Sequence, residues 1–260
     1  MIKKYIKAIL WWLYNREWYV SFCSEEKIII GRTISNEQIE AYRYWDGSNK
    51  ILFIGGIHGN EVGTVKLIHK LGKYLDKNKP QSTIYIIPAL NKDGLKNAFL
   101  HPDYLSGGRI GRFNANWVDL NRNFPVQSFS PHWYWWHGKD YSEKTTVFCG
   151  NFWWSEPETN AIMRFIVDHK INMLWVFHNC WADVWGWKDN LSQSLAQDYS
   201  KNAWFLWIPE SRWQTFGQTW TLKEWAEDQK ILFIEIEWTN RYKSDWKIQK
   251  SAIIRLIQSF

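Results

Sequence analysis

A chain of 260 residues is long enough for one large α/β domain or two small ones, and a core of that size buries most of its apolar surface. With 45% hydrophobic and 22% charged residues, the composition excludes an intrinsically disordered chain. The net charge of +6 is spread along the sequence without a Lys/Arg block, zinc knuckle or RNA-binding signature, so nucleic acid is not an expected partner, and a basic surface suits an anionic substrate. The 21 tryptophans cannot all be buried; they either replace Phe and Leu in the core or line a groove where flat rings meet peptide, sugar or lipid.

In chain order, residues 1–18 place Ile2, Tyr5, Ile6, Ile9, Leu10 and Leu13 on one face, with Lys3, Lys4 and Lys7 opposite. That spacing predicts an amphipathic helix within residues 1–25, either docked on the domain or lying on a membrane surface. Lys7 interrupts the apolar run, which is too short to span a bilayer and lacks a cleavage site. Cys23, Cys149 and Cys180 show no CxxC spacing and are expected to be reduced thiols in a cytoplasmic setting.

Residues 26–260 contain no repeat or linker and read as a single domain. ILFIG (51–55), TIYIIP (83–88), MLWVF (173–177) and ILFIEIE (231–237) are short apolar runs with the character of buried strands. Helical periodicity follows from Glu61 to Lys77, and SEPETNAIMRFIVDHK opens with a capping box between Ser155 and Glu158. Alternating strands and helices predict a three-layer α/β/α fold around a central mixed sheet. The stretch from 97 to 154 is too long for an idle connection.

Active sites of open α/β sheets lie at the carboxyl ends of the strands. GGIHGNE (55–61) follows the first of these strands directly, and its turn can aim His58 and Glu61 at one cation. Catalytic zinc takes three protein ligands, so a third is needed from another strand end, where FHNC places His178. The segment GRFNANWVDLNRNFP (111–125) adds guanidinium groups at Arg112 and Arg122 and an amide at Asn121, donors matched to a carboxylate; the alternative is a local surface pair of Asp119 with Arg122.

HxxE, the R-x-N-x-x-x-V-D-L-N-R-N-F-P stretch, SEPET and a later strand ending in His together resemble the zinc carboxypeptidases, the M14 metallopeptidases, and most of all their compact bacterial members of murein peptide amidase type. The resemblance runs from about residue 30 to 240. It implies one Zn²⁺ bound by His58, Glu61 and His178, with Arg112 polarising the scissile carbonyl and Asn121 and Arg122 gripping the substrate's free carboxylate. It also implies a general-base glutamate in ILFIEIE. Glu235 and Glu237 alternate onto one strand face, and the entry register selects Glu237. The implied reaction is hydrolysis of an amide bond beside a free carboxylate in a peptide or N-acyl amino acid, peptidoglycan fragments included. The same ligand pattern also serves amidoacylases of the aspartoacylase and succinylglutamate desuccinylase type, while a Trp-lined binding protein without catalysis would need no general base. Two features depart from the family's digestive members. Asn60 stands where they carry Arg, and the loop RWQTFGQTWTLKEW has no Tyr, leaving Trp213, Phe216 or Trp220 to close the pocket.

Overall fold

The computed structural model describes residues 22, 24, 26–100, 111–126, 130–137, 143–179, 182–209, 221–238 and 240–260. The expected N-terminal helix, Cys180, and Trp213, Phe216 and Trp220 of the late loop lie outside these residues. Among the described residues no helix is long and apolar enough to cross a membrane.

Among the described residues, ten strands and six α-helices follow in chain order: β1 (Glu26–Arg32), β2 (Gln38–Tyr44), β3 (Lys50–Ile54), α1 (Val62–Leu75), β4 (Thr83–Ile87), α2 (Lys92–Leu100), β5 (His132–His137), β6 (Glu143–Phe148), α3 (Pro157–Asp168), β7 (Met173–Asn179), β8 (Asp183–Gly186), α4 (Asn190–Ala203), β9 (Leu206–Ile208), α5 (Leu222–Asp228), β10 (Leu232–Trp238) and α6 (Trp246–Gln258). Eight strands form one mixed sheet in the order β1-β2-β4-β3-β7-β10-β8-β9, and β5 and β6 form a separate antiparallel pair. The centre β4-β3-β7-β10 is parallel; β2 and β8 join it antiparallel, β1 pairs antiparallel with β2, and β9 pairs parallel with β8.

Alternation along these strands builds two cores. Ile51, Phe53, Trp175, Phe177, Ile234 and Ile236 pack against α1, α4 and α6. Leu52, Ile54, Leu174, Val176 and Phe233 face the other way, against α3 and α5. The result is the expected three-layer α/β/α arrangement. Because β10 lies in register with β7, with Glu237 beside His178 and Glu235 beside Val176, both glutamates project from the same face as His178. Tryptophans are found both inside and outside: Trp175 and Trp238 are fully buried, whereas Trp117, Trp153, Trp154 and Trp204 are exposed.

The capping box expected at Ser155 is not formed. The helix α3 starts at Pro157 with Glu156 as its N-cap residue and no side-chain cap, and Ser155 donates instead to Glu156 Oε1 at 2.7 Å. Proline at the first helical position sets the start one residue later than the SxxE spacing implies. Glu158 is thereby free to turn inward, where the Asn114 amide donates to it at 3.3 Å and to Glu156 at 2.7 Å. A complete capping box forms at α5, between Thr221 and Glu224.

Burial pushes the Glu158 carboxyl from 4.5 up to about 7, with Glu156 and Asp93 adding to the rise and Asn114 opposing it. Between those two values the folded chain holds a proton that the unfolded chain has released, so this group's contribution to stability is present at low pH and is lost as pH rises through the window. Urea unfolding at pH 5 and pH 7.5 is expected to show that contribution, of about 2–3 kcal/mol, in the native protein and its absence in Glu158→Gln. Parallel pH profiles for the two proteins would contradict the assignment.

Candidate metal centre

The turn from β3 into α1 carries His58 and Glu61. Gly56 has φ +58°, and a Cβ there would lie 2.9 Å from a Val65 methyl. A Cβ at Gly59 would lie 2.0 Å from the Leu95 backbone nitrogen, so the turn presses directly on α2 and no side chain fits. The Thr64 hydroxyl donates to the Glu61 carbonyl at 2.7 Å and accepts from the Gly56 N–H at 3.0 Å, closing the turn on the first turn of α1.

His178 comes from β7, the strand beside β3, and lies inside that strand rather than just beyond it. The two strand ends bring His58, Glu61 and His178 together, with one ligand atom from each within 4.8 Å of the others. His58 Nδ1 is 2.9 Å from Glu61 Oε1 and His178 Nδ1 is 3.0 Å from Glu61 Oε2, so one carboxylate faces the same nitrogen of both rings. All three side chains are buried. Burial alone would raise the Glu61 pKa, but His58 and His178 outweigh it and hold the carboxylate well below its usual range. Burial opposes charging of His178, yet Glu61, with help from Glu235 and Glu237, raises its pKa to about 9.

Asp119 completes the arrangement, in a role the sequence did not disclose. It is fully buried rather than part of a surface pair with Arg122. Its Oδ1 is 3.0 Å from His58 Nε2, while Oδ2 accepts two bonds from Arg112, at 3.0 Å from Nε and 2.7 Å from Nη2. Arg112 and His58 together hold its carboxyl well below the usual range although burial pulls the other way. Asp119 also caps the short 3₁₀ turn Leu120–Arg122 by accepting from the Asn121 N–H, which is the one local signal in VDLNR that this aspartate points inward. Arg112 Nη1 sits 3.4 Å from His58 Nδ1, at the rim of the three-residue cluster.

Asn121 Oδ1 accepts from the Leu222 N–H at 3.0 Å, and its Nδ2 is 3.4 Å from His178 Nε2, so this amide ties α5 to the cluster. The Arg122 guanidinium lies buried, 4.5 Å over the Trp133 ring, with Nη1 donating to the Asn121 carbonyl at 2.6 Å. Of the two glutamates on β10, Glu235 is buried and its charge acts on Arg122, His178 and Asp183. Glu237 has a buried Oε2 with no hydrogen-bond partner among the described residues. Burial raises the Glu237 pKa well above the usual range, His178 lowers it, and Glu61, Glu235 and Asp183 raise it further.

The donor set fits zinc. Two imidazoles and one carboxylate are a recurrent catalytic zinc triad. A carboxylate on Nε2 of one ring, as Asp119 provides for His58, fixes the tautomer that leaves Nδ1 to face a metal.

This chain belongs to the zinc carboxypeptidase family, whose model matches residues 22–221. The catalytic chain of carboxypeptidase N from Mus musculus is 29% identical over 157 residues, covering 53% of this chain and 34% of that protein, so the match spans about a third of that relative. Among solved structures, murein-tripeptide amidase MpaA from Escherichia coli O157 superposes with a TM-score of 0.67 at 19% identity, covering 94% of this chain and 95% of that one. Bovine thrombin-activatable fibrinolysis inhibitor, in complex with tick carboxypeptidase inhibitor, gives 0.69 at 18% identity, covering 99% and 95%. At these identities the two superpositions establish the shared fold.

If His58 and His178 are both ligands, alanine at either position removes one of only three protein donors. Metal analysis of purified His58→Ala and His178→Ala is expected to show loss of bound zinc where the native chain carries one ion. Full zinc occupancy in His178→Ala would place the third ligand elsewhere.

Proposed function

We propose that the chain is a zinc-dependent peptidase or peptide amidase that hydrolyses an amide bond next to a free carboxylate. The observation that carries this reading is the juxtaposition of three groups: a buried His–Glu–His cluster, an arginine at its rim and, on the adjacent strand, a buried carboxylate oxygen with no hydrogen-bond partner among the described residues.

Zinc held by His58, Glu61 and His178 would supply a Lewis acid that polarises the scissile carbonyl and brings the pKa of water near 7. The residues around it divide the remaining work. Arg112, fixed by its two bonds to Asp119, presents Nη1 toward the cluster, where it stabilises negative charge developing on the carbonyl oxygen. Glu237 accepts the proton of the attacking water and returns it to the leaving amine as the C–N bond breaks. Its buried, unbonded Oε2 and the environment that disfavours its charge suit it to holding a proton between those two steps. Arg122 and Asn121 hold the substrate's free carboxylate. Arg122 is desolvated and stacked on Trp133, which keeps its planar fork in one orientation. Peptides of the kind found in peptidoglycan meet these requirements, and the acidic character of such fragments suits the net positive charge of the chain.

The test uses dipeptides with free and amidated carboxyl termini, alongside an N-acyl amino acid. Glu237→Gln keeps size and hydrogen bonding while removing the basic oxygen, so zinc is expected to stay bound while kcat falls by roughly 10²–10⁴-fold. Glu235→Gln is expected to cost much less. If Glu235→Gln is the inactive protein instead, the two glutamates exchange roles. If the native chain cleaves only the N-acyl amino acid, the peptidase reading gives way to an amidoacylase.

A further inference from the structure

Positive charge is unevenly shared among the helices. Among the described residues, α1 and α6 contain no Asp or Glu, whereas α2, α3, α4 and α5 each carry at least one. On α1, Lys66, Lys70 and Lys73 fall on one side of the helix, and Lys77 continues that stripe into the turn that ends it. The opposite side, with Val65, Ile68, Leu71 and Leu75, packs into the core. The helix α6 repeats the arrangement, with Lys247 and Lys250 exposed while Ala252, Ile253, Leu256 and Ile257 are buried. The two helices lie side by side: Tyr74 of α1 packs on Trp246 of α6 with ring centroids 6.1 Å apart, and Lys250 sets its Nζ 5.1 Å over the Tyr74 ring. Their lysines therefore cover one continuous face.

Solubility alone does not account for such a face. Surface helices gain from charges of alternating sign, and lysines three or four residues apart weaken the helix that carries them. No acidic side chain among the described residues forms an ion pair with Lys70, Lys73, Lys77, Lys247 or Lys250. An anionic partner would relieve that repulsion, and three features select a lipid surface. The α1 stripe is all lysine, whose long stem and compact ammonium suit a charged plane, whereas nucleic-acid phosphates favour the planar fork of arginine. Ile248, 48% exposed, and the half-buried rings of Tyr74 and Trp246 lie among the lysines, a mixture suited to the boundary between headgroups and acyl chains. The chain also enters the domain through this face. Phe22 stacks on His69 of α1 at 5.0 Å and meets Tyr42 edge-on at 4.4 Å, in space left by Gly72, where a Cβ would fall 2.4 Å from the Phe22 ring. The sequence that leads into Phe22 is the one with Lys3, Lys4 and Lys7 set opposite apolar residues.

We propose that the α1–α6 face is a docking surface for an anionic lipid bilayer. Both helices begin at the end of the sheet that carries the metal cluster. The first residue of α1 directly follows Glu61, and α6 follows β10, whose Glu237 lies beside His178. The basic face thus starts next to the candidate centre.

Co-sedimentation of the full chain with vesicles tests this, using phosphatidylcholine alone and phosphatidylcholine with about 30% phosphatidylglycerol at about 0.1 M salt. Binding is expected to the anionic vesicles only, and to be lost at about 1 M salt. Lys70→Gln, Lys77→Gln, Lys247→Gln and Lys250→Gln together are expected to weaken it by about a hundredfold, since each lysine near an anionic surface contributes about fivefold. All four side chains are exposed, so the variant keeps its core. A matched variant, Arg164→Gln, Lys170→Gln, Lys188→Gln and Lys230→Gln, removes the same charge from the layer built on α3 and α5 and is expected to bind as the native chain does. Equal binding to the two vesicle types, binding to neither, or an equal loss in the two variants overturns the proposal. An anionic preference that survives in the α1–α6 variant overturns it as well. A short DNA duplex bound in preference to the anionic vesicles would assign the face to nucleic acid instead of lipid.

Discussion

Glu61 stands between two imidazoles with one oxygen turned to each, and all three groups are out of water. A carboxylate in that position is strongly disfavoured unless charge of opposite sign is fixed beside it, and removing either ring would leave a buried charge without compensation. Much of the surrounding fold keeps this arrangement in place. The parallel pairing of β3 and β7 puts the HGNE turn and His178 at the same end of the sheet. The glycines at 56 and 59 let that turn fold tightly against α1 and α2. Asp119 then locks the far nitrogen of His58 and, through its other oxygen, the guanidinium of Arg112. His58, His178 and Glu61 would hold a divalent cation, and the buried carboxylates of Asp119 and Glu235 nearby suit its positive charge.

Around that centre, tryptophan has a function beyond filling space. The buried Arg122 beside the cluster lies on the Trp133 indole face, an arrangement that lowers the penalty of burying charge without neutralising it. The deep interior uses the same residue type differently: Trp175 and Trp238 fill the layer between the sheet and the helices behind it.

Much of the fold was legible in the sequence because a central parallel sheet writes itself as short β-branched runs, and those at 51, 83, 173 and 231 became β3, β4, β7 and β10. The cluster was legible because strand-end residues of such sheets converge, so a histidine after MLWVF could be matched to the HxxE turn without knowing any distance. What could not be read depends on burial and on three-dimensional neighbours. Asp119 looked like the partner of Arg122 three residues on, yet the 3₁₀ turn directs it to His58 and Arg112, more distant in sequence. The SxxE pattern at 155 had the spacing of a cap, but Pro157 shifted the helix start and the Asn114 amide drew Glu158 inward. Lys223 falls in RWQTFGQTWTLKEW, read from the sequence as a loop, and only the structure shows that Thr221 caps a helix there and that Lys223 is buried.

If His58, Glu61 and His178 form one metal-binding centre, a bound ion must lie among their three side chains, where crystallography can locate it. Diffraction data collected on both sides of the zinc absorption edge, from crystals grown with zinc, should give one anomalous peak. It is expected in contact with Nδ1 of His58, Nδ1 of His178 and the carboxylate of Glu61. A crystal whose zinc lies on other residues, with these three side chains still bonded only to one another, would contradict the account.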